Sequence, residues 1–297
     1  HSFPTRRSSD LRPTFPARNQ WSGDIQGTPR VNANAARQAA RLPATDWLAP
    51  MLPQATPPQA QPHRVAVQAR TTAGGAGLAN ADALRARMVQ QLQRSGISDV
   101  RVLSALQAVP RHCFVDGALL DQAYKDTSLP IGLQQTISKP GVVARMVELL
   151  LACPAMQAQP VDARLGRVLE IGTGCGYQAS VLGQVATEVY SIERLRGLHE
   201  KARSNLRPFR IANVHLILGD GMLGYPLGAP YAGIIAAAGG HAIPQAWIDQ
   251  LAVGGRIVAP LVSGQGQVLV ALDKTPQGLH QSVLEPVLFV PLKSGMA

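Results

Sequence analysis

The spacing of apolar positions changes several times along the chain, and each change predicts an element. After Asn80, Leu84, Met88, Val89 and Leu92 fall on one helical face, so a helix capped by Asn80 is expected over residues 81–94, with Gly96 beyond its end. Ser98 or Asp99 opens a second helix to about Ala108, with Val102, Leu103 and Leu106 inward and Val109-Pro110 closing it. Arg111 to Val115 is a short apolar piece expected to be extended, and residues 124–138 show no period. An amphipathic helix then runs from Lys139-Pro140 to about Leu151. Ser138 stands where its N-cap belongs, and Pro140 in the first turn sacrifices no hydrogen bond.

From Arg167 onward, short apolar runs alternate with helical segments. Strands are expected at 167–171, 188–193, 214–220, 232–238 and 256–261, with helices at 177–186, 195–206 and 244–251. The run at 232–238 is apolar on both faces, as a central parallel strand requires. Two further strands, 268–272 and 283–292, have no helix after them, which predicts an antiparallel end to the sheet. The fold class is therefore α/β: a doubly wound, mostly parallel sheet with helices on both faces, an N-terminal helical cap and antiparallel C-terminal strands.

Composition divides the chain in two. Residues 1–80 hold ten of the 23 prolines, nine arginines, no lysine and three aspartates, with no sustained period. Such a segment buries too little apolar surface to offset its ordering entropy, so a disordered Pro/Ala/Arg-rich extension is expected there, before a folded domain over 81–297. The formal charge of +10 belongs mainly to this extension, and only +4 is spread over the rest. The charge is thus no argument that the folded domain binds nucleic acid. No apolar run approaches the roughly 18 residues of a membrane span. Cys113, Cys153 and Cys175 are scattered without metal-ligand spacing, which predicts no metal site and fits a reducing cytoplasm.

The candidate chemistry gathers at predicted strand ends. Glu170-Ile-Gly-Thr-Gly-Cys-Gly176 is a buried strand running into a glycine turn and a helix, the opening of a nucleotide-binding βαβ unit. Its spacing is G-x-G-x-G, not the dinucleotide G-x-G-x-x-G, which counts against a nicotinamide dehydrogenase. Glu193 closes the second strand 21 residues after Gly172, near the interval at which a carboxylate reaches a ribose diol. Asp220-Gly221 lies at the same sheet edge. Gln135-Thr-Ile-Ser138 places hydroxyls and amides at a helix N-terminus, where free N–H groups and the dipole favour a carboxylate. His112 beside Cys113 is not expected to form a catalytic pair, because neighbours on an extended strand face opposite ways.

These residues resemble the S-adenosylmethionine pocket of class I methyltransferases, with their Rossmann-like sheet. The resemblance narrows with Val109-Pro-Arg-His-x-Phe-Val115, Leu129-Pro-Ile-Gly132, Gln135-Thr-Ile-Ser138 and Val168-Leu-Glu-Ile-Gly-Thr-Gly-x-Gly-Tyr-Gln178. Those segments, with Ile243-Pro244, Gly254-Gly-Arg256 and Phe289-Val-Pro-Leu292, look like the protein-L-isoaspartate (D-aspartate) O-methyltransferase family over roughly residues 83–293. The resemblance implies a repair enzyme that methylates the free α-carboxylate of L-isoaspartyl residues in damaged proteins. The ester then cyclises to a succinimide, whose hydrolysis returns some normal aspartate. It implies S-adenosyl-L-methionine as cofactor, S-adenosyl-L-homocysteine as product, and isoaspartyl-containing proteins and peptides as partners; beside it, a cytoplasmic monomer acting without nucleic acid or membrane is expected.

Residue by residue, the resemblance places Glu170, Gly172, Gly174, Gly176, Glu193, Asp220 and Gly221 at the cofactor. The three glycines approach its methionine end, Glu193 holds the ribose, and Asp220 and Gly221 border the adenine. Gln135, Thr136, Ile137 and Ser138 take the substrate, with Ser138 in the catalytic position. Ala232 stands where the family usually has an acid, which is expected to weaken support around the pocket, and Cys175 stands where many members have Ser. The alternative substrate is a small molecule or RNA methylated from the same pocket.

Overall fold

The computed structural model describes residues 80–297. Apart from Asn80, the extension expected over residues 1–80 lies outside the described residues. Helices α1 (Ala81–Arg94) and α2 (Val100–Ala108) bury the faces their spacing predicts, including Met88, Leu92, Val102 and Leu106. Asp99 caps α2 by accepting the Arg101 N–H at 2.8 Å, whereas the Asn80 side chain makes no capping bond to α1. Arg111–Phe114 is a 3₁₀ turn and not extended. In that turn residues three apart align, so Arg111 and Phe114 enter the core on one side; a strand would have turned them to opposite faces. Phe114 there packs between Tyr177 and Phe209, with ring centroids 5.6 Å from each.

The stretch without period contains a small hairpin, β1 (Leu129–Gly132) and β2 (Gln135–Ile137), followed by α3 (Pro140–Leu151). Its two-residue turn, Leu133-Gln134, has φ of 51° and 58°, the left-handed pair that suits the twist of a tight hairpin. With only a few residues in each strand, it leaves too short an alternation to detect in sequence.

The main sheet has seven strands: β3 (Leu165–Ile171), β4 (Ala186–Glu193), β5 (Val214–Leu218), β6 (Tyr231–Ala236), β7 (Leu251–Ser263), β8 (Gly266–Thr275) and β9 (Gly278–Val287). They lie in the order β5-β4-β3-β6-β7-β8-β9. Pairing is parallel from β5 to β7 and antiparallel from β7 to β9. Successive residues alternate between two cores, one on each face. Val168, Ile235 and Val258 join one core, while Leu169, Ile234 and Ile257 join the other around Trp247. Helices α4 (Tyr177–Val185), α5 (Arg196–Leu206) and α6 (Gln245–Gln250) supply the crossovers.

One crossover lacks a helix, and the last strand is shorter than its apolar run. Between β5 and β6 the crossover is two 3₁₀ turns, Gly221–Leu223 and Pro226–Gly228, because glycine and proline crowd residues 219–230 and deny them an α-helix. The last strand ends at Val287, not at 292, since later residues find backbone partners elsewhere. Gln267 brackets Phe289, accepting its N–H at 2.8 Å and donating to its carbonyl at 3.1 Å. Gly239 then exchanges 2.8 Å bonds with Val290 and Leu292. The final segment is thereby drawn to the carboxyl ends of the parallel strands. That edge is also where the chain leaves β3 for β4 on one side and returns to β6 on the other, opening the crevice of a doubly wound sheet. Among the described residues, no helix is long and apolar enough to cross a membrane.

Candidate active site

The crevice forms where β3, β4 and β6 stop. Beyond Ile171 the chain turns through Gly172 to Gly176 into α4, with φ of +57° at Gly174 and +91° at Gly176. A side chain at either position would meet strain and a neighbour: a Cβ at Gly174 would lie 3.2 Å from Ile131 Cδ1, and one at Gly176 would lie 3.1 Å from Leu206 Cδ1. The turn therefore lets the hairpin and α5 close on it. Glu193, at the end of β4, accepts the Gly174 N–H on Oε2 and the Leu195 N–H on Oε1, both at 2.9 Å. Two of its roughly four lone-pair positions stay open toward the crevice.

The crevice holds about 470 Å³. Gly172, Gly174, Glu193 and Gly221 form part of its wall, and all of Gln135, Thr136, Ile137 and Ser138 face it from the hairpin. Glu170, Gly176 and Asp220 stand behind this wall. Gly176 is the N-cap residue of α4, with its carbonyl bonded to Ser180. Asp220 accepts the Met222 N–H at 2.8 Å and the Gly295 N–H at 2.7 Å, so its carboxylate is engaged by the backbone. Glu170 is fully buried beneath the glycine turn, one oxygen accepting from Ser191 Oγ at 2.5 Å and the other without a partner. Burial pushes its carboxyl up to about 8; the Ser191 hydrogen bond and the nearby Gln178 amide pull it down less, and the Glu193 charge adds to the rise.

Sequence reasoning missed part of the lining. Gln178 faces the crevice, and its side-chain nitrogen is buried without a partner. Residues 290–293 form the far wall; Phe289-Val-Pro-Leu292 carried part of the family resemblance, but its apolar run reads equally well as a strand end and pointed to no place at the site. Cys175 lines the crevice as a free thiol that burial pushes up to about 11. Ala232 lies within β6 and lines neither this crevice nor the cavity beside it.

A second cavity, of about 570 Å³, adjoins the first. Thr136, Ser138, Ala237 and Val290 line both, so the hydroxyls of the hairpin stand at the junction. Asp126, Lys139, Arg145 and Glu285 bring both signs of charge to its walls, with Arg145 paired to Glu285 at 3.1 Å.

The start of α3 is not the open anion receiver its sequence suggests. Lys139, not Ser138, is the N-cap residue, and neither caps the helix through its side chain. Pro140 has no N–H, Gly141 donates to Asp126 Oδ1 at 2.6 Å, and Val142 and Val143 donate to the Lys139 carbonyl. The first turn is satisfied internally, which leaves the Ser138 hydroxyl free of helix duty. His112 Nδ1 meets the Tyr124 hydroxyl at 2.6 Å and stands outside both cavities.

A nucleoside with a charged amino-acid end fits these residues. The glycine turn clears space for close backbone approach, and Glu193 offers open acceptors for a diol.

Comparison with known proteins agrees. The family profile described as Protein-L-isoaspartate(D-aspartate) O-methyltransferase (PCMT) matches residues 83–297. A protein-L-isoaspartate O-methyltransferase of Methylibium petroleiphilum is 57% identical over 243 residues, which cover 80% of this chain and 88% of that one. One from Ralstonia nicotianae is 56% identical over 241 residues, 77% of this chain and 75% of that one. A solved protein-L-isoaspartate O-methyltransferase superposes with a TM-score of 0.63 at 27% identity, covering 71% of this chain and 67% of its own.

Proposed function

The chain belongs to the protein-L-isoaspartate(D-aspartate) O-methyltransferase family, and from that premise we propose how its residues divide the work. The reaction is transfer of a methyl group from S-adenosylmethionine to the free α-carboxylate of an L-isoaspartyl residue, the first step in returning a damaged site toward normal aspartate. The observation that carries the assignment of roles is the meeting of two cavities at Thr136 and Ser138. The glycine-lined cavity takes the cofactor, and the neighbouring one takes the isoaspartyl segment of a protein or peptide.

When bound, S-adenosylmethionine supplies an electrophilic methyl group on a positively charged sulfur. Gly172 and Gly174 would admit its methionine end, Glu193 would hold the ribose hydroxyls and Gly221 would border the adenine. Glu170, Gly176 and Asp220 act from behind, by shaping the turn and the strand ends. A carboxylate substrate is already ionised near neutral pH, so this chain needs no strong base. It needs to hold one carboxylate oxygen in line and to strip it of water. Thr136 and Ser138 supply hydroxyl donors at that junction, Gln135 and Ile137 shape its approaches, and Ser138 is the group closest to catalysis in this reading.

The reading extends to a folded catalytic domain over 81–297 carrying an extension, working as a cytoplasmic monomer without nucleic acid or membrane. The free thiols of Cys113, Cys153 and Cys175 fit a reducing compartment.

Methyl transfer from labelled S-adenosylmethionine to an L-isoaspartyl peptide, with the matched aspartyl peptide as control, tests the proposal. Base-labile label is expected on the isoaspartyl peptide alone. Label on RNA or on neither peptide, with cofactor binding intact, overturns the substrate while keeping the pocket.

A further inference from the structure

The loop that presents Ser138 is held from a residue outside it. Helix α3 begins with three residues that cannot cap it: Lys139 lends no side-chain bond, Pro140 has no N–H, and Gly141 has no side chain. The exposed Gly141 N–H is received instead by Asp126 Oδ1 at 2.6 Å, from the segment that precedes β1. One hydrogen bond thereby joins both ends of the excursion that carries Gln135, Thr136, Ile137 and Ser138.

The hairpin is anchored by buried Leu129, Ile131 and Ile137 and by Lys201 donating to the Ile131 carbonyl at 2.9 Å, but its own ladder is short. Its strands match at three residue pairs only, with an irregularity between Pro130 and Gly132, and Pro130 has no N–H to give. Ser138 lies beyond the last of these pairs, between β2 and α3, so the hairpin ladder alone does not fix it. The segment bearing Asp126 is itself anchored. Buried Arg111 donates to the neighbouring Thr127 carbonyl at 3.4 Å and stacks its guanidinium 4.8 Å from the Tyr177 ring, at the start of the helix that follows the glycine turn.

Position 141 is shaped for this contact. A Cβ there would stand 3.0 and 3.1 Å from the two Asp126 oxygens, so a side chain would press on the carboxylate and oblige it to shift. Asp126 also lines the second cavity together with Thr136 and Ser138, and not the cofactor cavity. Its effect is thus directed to the substrate side.

We propose that Asp126 is a positioning residue for methyl transfer: by capping α3 at Gly141 it clamps the base of the hairpin and leaves the Ser138 hydroxyl free for the substrate. This rests on the reading of Ser138 and the second cavity given above. Asp126 transfers no proton and forms no bond to the methyl group. A charge is not required of it, only an acceptor at that place.

The test compares Asp126→Ala, Asp126→Asn and Gly141→Ala. Asp126→Ala is expected to lower kcat/KM for an isoaspartyl peptide roughly tenfold, as loss of a charge-assisted cap unhinges the loop, while calorimetric affinity for S-adenosylhomocysteine stays within about twofold. Asp126→Asn keeps an acceptor and should recover most of the activity. Gly141→Ala should lower activity in the same direction as Asp126→Ala with no loss of unfolding stability, because alanine favours the helix. Combining the two alanine changes should cost little beyond either alone. Wild-type activity in Gly141→Ala, activity losses that track unfolding stability, or equal losses of peptide and cofactor affinity would overturn the proposal. Hydrogen exchange of residues 136–143 in the same variants reads the clamp without any substrate. Faster exchange there, with the glycine turn unchanged, is the expected result, and unchanged exchange overturns the clamp. An inactive wild type with a working clamp would instead refute the substrate reading.

Discussion

Changing Glu170 to Gln isolates the electrostatics beneath the glycine turn. Glu170 is wholly buried, bonded on one oxygen to Ser191 and unpartnered on the other. Burial raises its carboxyl from 4.5 to about 8. A carboxyl raised by folding binds its proton more tightly in the native chain than in the unfolded one. The stability this brings is complete below the unfolded value and is lost as pH climbs through the interval up to the folded value. At about 1.4 kcal/mol per pKa unit, the interval is worth at most roughly 5 kcal/mol. That is a large part of the roughly 5–15 kcal/mol by which an ordinary domain is stable. Gln has nearly the same shape and cannot ionise. Urea unfolding at pH 5, 7 and 9, followed by tryptophan fluorescence, should therefore find the two proteins similar at pH 5. Wild type should fall progressively behind, by roughly 2–5 kcal/mol at pH 9. Parallel stability profiles for the two proteins across this range would refute the reasoning, since no proton would then be held differently by the fold.

Two further substitutions probe the roles assigned at the wall. Ser138→Ala should lower turnover more than affinity for S-adenosylhomocysteine; equal losses in initial rates and calorimetry would reduce Ser138 to scaffold. Glu193→Gln replaces one of two acceptors with a donor facing a backbone N–H. A hydrogen bond to a charged group is worth about 1.5–3 kcal/mol, so loss of the ribose's charged acceptor should appear in calorimetry as a roughly ten- to hundredfold loss of S-adenosylhomocysteine affinity, and an unchanged affinity would remove Glu193 from the ribose.

The sheet was legible because its strands are short apolar runs broken by glycine, a local signal. Glu193 and the glycine turn were legible for the same reason, their spacing being set within one βαβ unit. The turn at Arg111 is not legible because a buried guanidinium gives no apolar signal, and its place on the same side as Phe114 depends on the aromatic neighbours it meets. The first turn of α3 was misread because its cap arrives from Asp126, across an intervening hairpin, where no window of helical spacing reaches. Glu170 and Asp220 lie beside the expected ligand in sequence, yet strand alternation and the Gly295 backbone turn them away from the cavity. The far wall at 290–293 was hidden by the same logic, its apolar residues having a purpose that only their partner Gly239 reveals.

That far wall has a consequence for how the protein is made. A ribosome releases the hairpin first, the glycine turn and Glu193 next, and residues 290–293 only after β8 and β9 have emerged. Until then the nascent chain carries a crevice open on one side. A ligand that needs the whole crevice stabilises only chains that have it, so cellular S-adenosylmethionine lends no help to a chain stalled before β8. An enzyme that begins the repair of aged proteins must thus complete its own fold on the strength of its two cores, before its cofactor can support it.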